Sequence, residues 1–523
     1  MDERLAEAWA LLPARLGAHV LLSASALGLA LLIGLPLALA AVRRPRLREM
    51  VVGAAGLIQT VPGLALVALF YPALLALGVV TTRAFGVSVP ALGFLPSLLA
   101  LTLYALLPIL RNAVAGFGGL DRAVLEAADG VGMTRRQRLA WVEAPLAAPV
   151  VMAGVRTAAV LTVGTAVLAT TVGQPSLGDY IFSGLQTEDW TTVLFGCAAA
   201  AGLALLADGL LGLVEQGVAR RDPRRLAIGG GLLAAGLALA LGAQFAGAGT
   251  AGASGPYRIG AKNFSEQFIL AELIGARLRA EEAEVETRSG LGSAVIFRAL
   301  AAGDLDVYVD YSGTLWTNVL GRTDIPPREA LLKELTSELQ RRHGVVVLGP
   351  LGFENSYALT MRRDRAEALG VRTLDDLARH APSLTLGADL EFQNRPEWTA
   401  LRDAYGLRFG ASRAYTPTFM YRALEGGEAD VISAFSSDGR LAGDGLRALS
   451  DPRGAAPSYD AVLLISPRRA GDARLRRALQ PLVGAIPVER IRAANDSVDR
   501  YAGKRSPAQA AAVLDATIPQ AAP

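Results

Sequence analysis

Residues 126–145, EAADGVGMTRRQRLAWVEAP, decide how this chain is read. The stretch is basic, punctuated by Gly130 and Gly132, and flanked on both sides by long apolar runs. A membrane-spanning region therefore presents a structured helical surface to the cytoplasm at this point. Glu126 to Asp129 favour a short helix interrupted near the glycines. Thr134 suits the N-cap of a second, amphipathic helix that ends before Pro145. Small Ala127 and Ala128 allow a partner surface to approach closely. Arg135, Arg136 and Arg138 suit either an acidic groove or lipid headgroups.

Working outward, the 523 residues are 52% hydrophobic with a mean hydropathy of +0.35, too apolar for a wholly soluble protein and too charged for a wholly membranous one. That average conceals two unlike halves. Up to about residue 248 the chain is runs of Ala, Leu, Val and Gly; from Tyr257 it reads as an ordinary charged globular protein. The first half holds 17 Arg and no Lys against 14 acids, and the second balances 34 against 34. The pI near 9.0 thus reflects membrane topology and does not indicate a nucleic-acid surface.

A helix needs about 20 apolar residues to cross the hydrocarbon core. Candidate spans are 18–42, 50–80, 92–116, 145–172, 191–217 and 226–247. The second is overlong and carries Pro62 and Gly63 near its middle, so it is a broken helix or a re-entrant segment followed by a span. The count is six or seven. Positive charge orients them: Arg43, Arg44, Arg46 and Arg48 follow the first span, Arg122, Arg135, Arg136 and Arg138 the third, and Arg220, Arg221, Arg224 and Arg225 the fifth. The intervening loops carry Arg83 alone (81–91) and no basic residue (173–190). The N-terminus is therefore placed outside, the basic loops inside, and everything after the sixth span outside.

The first apolar stretch follows Asp2, Glu3 and Glu7 and precedes an arginine cluster, the reverse of a signal peptide's charge order, and reads as a retained span. The sixth, framed by RRDPRR (220–225) and AGAGTAGASG (246–255), reads as an uncleaved anchor with a flexible linker or as an internal signal with small-residue cleavage options. Cys197 is expected to be buried in a span, so the exported half folds without disulfides. His19, His343 and His380 lack metal-ligand spacing and are expected at surfaces or interfaces, so no metal and no cofactor is predicted. Arg156 and Asp208 fall in predicted spans, where an isolated charge is expensive. They line a pathway, pair internally or snorkel.

Read as Glu126-Ala127-Ala128, then Gly132, Val142 and Pro145, the cytoplasmic loop resembles the EAA signature of ABC-importer permeases. Ala144 departs from the Leu that usually precedes this proline. QTVPGLAL (59–66), YALLPILRN (104–112) and LGDYIFSGL (177–185) resemble permeases of the osmoprotectant (glycine betaine/carnitine/choline) uptake subfamily. The resemblance implies an all-α polytopic permease of type I-like fold, docking of a separate ATPase on residues 122–145, and a second permease copy, most simply in a homodimer. No G-x-x-x-x-G-K-[ST] occurs, so energy must come from another polypeptide.

In the second half YRIGAK (257–262), VETRSG (285–290), DVYVDY (306–311) and AVLLIS (461–466) read as strands separated by helical patterns such as Glu266 to Ala280. LTLGADL (384–390) and ADVISAF (429–435) form a second set. This alternation predicts two α/β lobes with a cleft at the strands' carboxyl ends. GAKNFSEQ (260–267), GDLDVYVDYSGT (303–314), NSY (355–357), SAFSSDGRL (433–441) and SYDAVLLIS (458–466) resemble, in the family's own order, the substrate-binding proteins of the same importers. This implies a type II periplasmic-binding-protein fold. The expected organisation is a permease domain (1–222), an additional transmembrane helix and linker (223–256) and a binding domain (257–523). Lobe I covers about 257–352 and 455–523, and lobe II about 353–454.

A quaternary ammonium has no N–H to donate, so its recognition falls to aromatic faces, worth roughly 0.5–2 kcal/mol per desolvated ring. From their places in the resembling motifs, Tyr311, Tyr357, Tyr421 and Tyr459 are the expected wall. Asn263, Ser265, Gln267 and Thr314 are the expected donors to the solute's polar end. Tyr308 is expected to be an ordinary half-buried strand residue and Phe264 to be core. Phe435 stands where some family members carry Tyr. Ser437-Asp438 has no histidine nearby, and nothing resembles an enzyme's constellation. The reading is a fused permease and binding protein of an ATP-driven osmoprotectant importer, its binding domain tethered through a linker of about ten residues (248–257) at mM effective concentration. One rival is an importer of another small zwitterion such as an amino acid, sustained by Asp310 and Asp438. The other is a membrane-anchored ligand sensor.

Overall fold

The computed structural model describes residues 3–86, 89–187, 189–246, 255–322, 324, 326–442, 445–455, 458–500 and 503–518. Most of the expected linker lies outside them. The chain divides into two units, Met1–Phe182 with Trp190–Thr250, and Ser183–Asp189 with Ala251–Pro523.

The N-terminal portion is helical: α1 (Glu3–Val42), α2 (Pro45–Thr60), α3 (Gly63–Phe85), α4 (Phe94–Gly118), α5 (Arg122–Gly130), α6 (Arg135–Arg138), α7 (Ala144–Thr165), α8 (Gly178–Gln186), α9 (Trp190–Arg220) and α10 (Pro223–Ala246). Among the described residues six helical stretches are long and apolar enough to cross a membrane: Ala8–Val42, Gly63–Phe85, Phe94–Gly118, Arg135–Val172, Trp190–Arg220 and Pro223–Ala243. The overlong second candidate breaks at Val61, whose ψ of 127° is the extended conformation that a following proline imposes. Its first piece, α2, has only 16 residues and is not among the six. Ala30 and Ala38 of α1 and Ala105, Ile109 and Ala113 of α4 share one packed cluster, the small residues letting the backbones approach.

The cytoplasmic stretch departs from expectation in one respect. Asp121 caps α5 by accepting from Ala123 N (2.9 Å), and Gly132 then turns the chain at φ +81°, a conformation that favours glycine. Thr134 and Gln137 form a capping box at the start of α6. The helix does not end before Pro145, however. It widens into a π-turn over Leu139–Glu143, with Ala144 N bonded to Leu139 O, and continues as α7. The wider turn absorbs the proline, which lacks an N–H and would crowd the carbonyl one regular turn back.

Three further expectations resolve within the helices. Arg156 pairs internally, making two hydrogen bonds to Asp208 (2.5 and 2.6 Å) and reaching Glu215 at 3.3 Å across α7 and α9. Cys197 lies in α9 but is exposed, because the helix turns that side chain away from its packed face. His19 is fully buried: its Nε2 bonds Val163 O (2.9 Å) and its Nδ1 accepts from Leu177 N (3.3 Å), so two backbone groups satisfy the ring inside.

The C-terminal unit contains two five-stranded sheets. β1 (Tyr257–Lys262), β2 (Val285–Leu291), β3 (Val307–Tyr311), β4 (Val346–Glu354) and β10 (Asp460–Ile465) stand in the order β2-β1-β3-β10-β4. β5 (Tyr357–Arg362), β6 (Thr385–Ala388), β7 (Ala411–Ala414), β8 (Val431–Phe435) and β9 (Leu446–Ala448) stand in the order β7-β6-β8-β5-β9. The chain changes sheet twice, at Asn355-Ser356 and between β9 and β10, which makes two lobes. Registers bring the aromatic residues together: Tyr357 pairs with Phe435 across β5 and β8, and Ala461, two residues past Tyr459, pairs with Tyr311.

Candidate functional site

A cavity of about 350 Å³ opens where strands of both sheets end. Lys262 closes β1, Tyr311 closes β3, Phe435 closes β8 and Tyr357 begins β5. Its wall is a run of rings. Tyr311 lies 6.3 Å from Phe264, Phe264 5.8 Å from Phe435, Phe435 5.0 Å from Tyr357, and Tyr357 5.9 Å from Tyr459. Gly313 makes room for the last of these: a Cβ there would meet the Tyr459 ring at 2.7 Å.

Tyr311 and Tyr459 are anchored from behind. Tyr311 donates to Glu266 Oε1 (2.6 Å), and Gln267 Nε2 donates to the Tyr311 oxygen (2.9 Å). Tyr459 donates to Glu397, a buried carboxylate that also accepts from Thr317 (2.9 Å). Burial pushes both phenols well above their ordinary pKa, so they remain donors. Two cations share the cavity. Lys262 pairs with Asp310 and lies 5.1 Å from the centre of the Tyr311 ring. The Arg395 guanidinium lies 5.4 Å from the Tyr357 ring centre, donates to Thr314 (3.2 Å) and pairs with Glu397 at 3.4 Å. Ring faces here already attract positive charge.

Of the residues expected at the site, Tyr311, Tyr357, Tyr459, Asn263 and Thr314 line this cavity. Ser265 and Tyr421 instead line a neighbouring cavity of about 40 Å³, where Tyr421 lies beneath Arg440 at 3.5 Å. Gln267 is buried behind Tyr311. Phe264, expected in the core, belongs to the wall, and Tyr308 is wholly buried with its hydroxyl on Asp310 (2.6 Å). Sequence reasoning missed Lys262, Arg395 and the buried carboxylate Asp389, which also line the cavity. Lys262 lies within the GAKNFSEQ motif and was open to discovery there. Arg395 precedes Pro396 in a loop with no periodic signal. Asp310 and Asp438, which sustained the amino-acid rival, are neutralised by Lys262 and Arg440.

A polytopic helical region followed by a two-lobed domain with a ring-lined cavity defines a membrane permease carrying its own binding protein. Residues 30–220 match the inner membrane component of binding-protein-dependent transport systems, and residues 255–514 the substrate binding domain of the ABC-type glycine betaine transport system. The ergothioneine transport permease/ergothioneine binding protein EgtU of Helicobacter pylori is 27% identical over 84% of this chain and 78% of its own. A choline transport system permease of Bacillus subtilis is 35% identical over 40% of this chain and 88% of its own. An osmoprotectant import permease of Salmonella typhimurium is 38% identical over 37% and 85%. The chain belongs to the osmoprotectant, glycine betaine-type family of ABC importers, as a fused permease and substrate-binding protein. It is a multi-pass inner-membrane protein with an extracytoplasmic binding domain, which sets aside the sensor reading.

Proposed function

We propose that this importer takes up a small zwitterion of the betaine type, holding its quaternary ammonium against Tyr311, Tyr357 and Tyr459 and its carboxylate near Arg395 and Lys262. One observation carries the reading: six rings, Tyr415 among them, and two cations line a single cavity of about 350 Å³. That size falls in the range of small-molecule sites. Phe264 and Phe435 extend the wall, and Asn263 and Thr314 supply donors. Choline lacks the carboxylate that the two cations suit. The relative spanning most of this chain is named for ergothioneine and a shorter one for choline, both trimethylammonium compounds, which supports the ring cage.

A second reading, an importer of ordinary amino acids, draws on Asp389, a buried carboxylate on the same cavity able to meet a primary ammonium. Titration of the full chain with glycine betaine and glycine separates the two, since they differ only in three methyl groups. Betaine binding far tighter than glycine supports the cage; equal binding refutes it.

The same proposal takes 1–222 as the permease domain, 223–256 as extra helix and linker, and 257–523 as the binding domain. Its ATP is hydrolysed by a separate subunit seated on residues 122–145, where Glu126, Ala127, Gly132 and Pro145 are exposed and Ala128 is buried. A second copy completes the permease as a homodimer, and lipid covers the remaining apolar helix faces. Uptake that persists without the ATPase subunit would falsify this assignment.

A further inference from the structure

We infer that Glu266 is a positioning residue that ties the wall of the solute cavity to the crossover between the lobes, and so sets how fully bound solute closes them. The inference rests on the preceding reading of that cavity as the solute site.

Glu266 lies in the first turn of α11 (Ser265–Ala280), is 3% exposed, lines the neighbouring cavity of about 40 Å³, and stands directly behind the wall of the larger one. Its Oε1 accepts from the Tyr311 hydroxyl (2.6 Å) and from Asn355 Nδ2 (2.9 Å). Its Oε2 accepts from Asn495 Nδ2 (2.9 Å). These partners have separate jobs. Tyr311 is cavity wall. Asn355 lines the cavity and is the first residue of the crossing from β4 to β5, where its N–H bonds Tyr459 O (2.9 Å). Ser437 follows β8 of the second lobe, and Asn495, on the helix Val488–Asp499 of the first, also donates to Ser437 O (2.9 Å).

One carboxylate therefore gathers three donors from the wall, the crossover and the first lobe, and Asn495 carries the tie on to Ser437 O of the second lobe. Burial pushes the Glu266 carboxyl above its ordinary pKa, while the hydrogen bonds from Tyr311, Asn355 and Asn495 favour the ionised form, whose two oxygens accept all three. The helix N-terminus favours its negative charge. When a solute cation settles on Tyr311, any shift of that ring is passed to Asn355 and Ser437 through this node. Two-lobed domains close about the few residues at such crossings.

The test uses Glu266→Gln, Tyr311→Phe and the double variant in the full chain, titrated with glycine betaine, carnitine, choline and ergothioneine. Lobe closure is read from fluorophores on cysteines placed at the exposed positions Arg341 and Arg379, in a Cys197→Ser background. Gln keeps the shape but turns an NH₂ toward a donor. The tightest solute should bind about tenfold to hundredfold more weakly, as expected for a hydrogen bond to a charged group. The closed fraction at saturation should fall, and Tyr311→Phe should add little to Glu266→Gln, because both break one bond. Full additivity of the two losses, or unchanged affinity and closure in Glu266→Gln, overturns the inference. If Glu266→Gln does not fold, Asn495→Ala takes its place: it cuts the tie to the second lobe while leaving Tyr311 bonded, and must lower closure at saturation. A wild-type chain that binds none of the four solutes refutes the cavity reading, and this inference with it. Wild-type binding matched by Glu266→Gln refutes the inference alone.

Discussion

Arg395→Gln isolates the carboxylate half of recognition. Arg395 is buried and holds Thr314 and Glu397 while stacking on Tyr357, so its removal loosens the wall for every ligand. That general loss cancels when two ligands are compared. Glycine betaine presents a carboxylate to the guanidinium and choline presents only a hydroxyl. A charge-assisted hydrogen bond contributes about 1.5–3 kcal/mol, so the ratio of the two affinities should move by about 10- to 150-fold toward choline. Isothermal titration of both ligands against wild type and Arg395→Gln in the full chain measures that ratio. An unchanged ratio, whatever happens to the absolute affinities, refutes the assignment of the solute's carboxylate to Arg395.

Tyr357→Ala and Tyr459→Ala should each weaken the best ligand by roughly 0.5–2 kcal/mol for the lost ring face, whereas Tyr421→Phe, on the neighbouring cavity, should leave affinity within about twofold; titration distinguishes them. Asp499 is half-buried, and loss of solvation pushes its carboxyl up to about 6, so its contribution to stability is fully present below its ordinary value of 3.8 and lost as pH rises through about 6. Melting curves from pH 4 to 7 should therefore flatten for Asp499→Asn relative to wild type, and parallel curves would show that Asp499 does not titrate there. Arg156→Ala leaves Asp208 without its bidentate partner in a spanning helix, where an unpaired charge is expensive, so thermal stability in detergent should fall and the charge swap Arg156→Asp with Asp208→Arg should recover part of the loss. Gly132→Ala, at φ +81°, strains the cytoplasmic turn by about 1–2 kcal/mol; solute-stimulated ATP hydrolysis by the reconstituted complex should fall while solute binding stays the same.

What was legible in the sequence follows the range of the forces involved. Apolar runs announced β1, β3, β8 and β10, since their burial is nearly continuous along each strand. β7 is exposed at all four residues and carried no hydrophobic signal. β4 is mostly half-buried, and Gly349 and Gly352 interrupt its pattern at positive φ. In the site, tyrosines stood out through their motifs, but the 12° stacking of Phe264 on Phe435 joins residues far apart in the chain and leaves no local trace. The continuation of the cytoplasmic helix through Pro145 was likewise hidden, because a π-turn is a cooperative answer to a proline and no propensity scale encodes it.

The charge balance of the cavity argues for the same class of solute. Lys262 is matched by Asp310, Arg395 by Glu397 and, on the neighbouring cavity, Arg440 by Asp438. The protein's cations have thus been given their own carboxylates before any solute arrives. A primary ammonium would have to draw one of those carboxylates away or rely on Asp389, and stripping a buried pair of one member is strongly destabilising. A trimethylammonium makes no such demand, because ring faces attract it without accepting a proton from it. Its carboxylate can approach Arg395 while Glu397 stays in place, since a guanidinium carries five N–H donors and the two groups need not compete for the same ones. Asp389→Asn therefore divides the cases: it should abolish binding of an amino-acid ligand, yet leave the balance of cations and carboxylates around a betaine untouched.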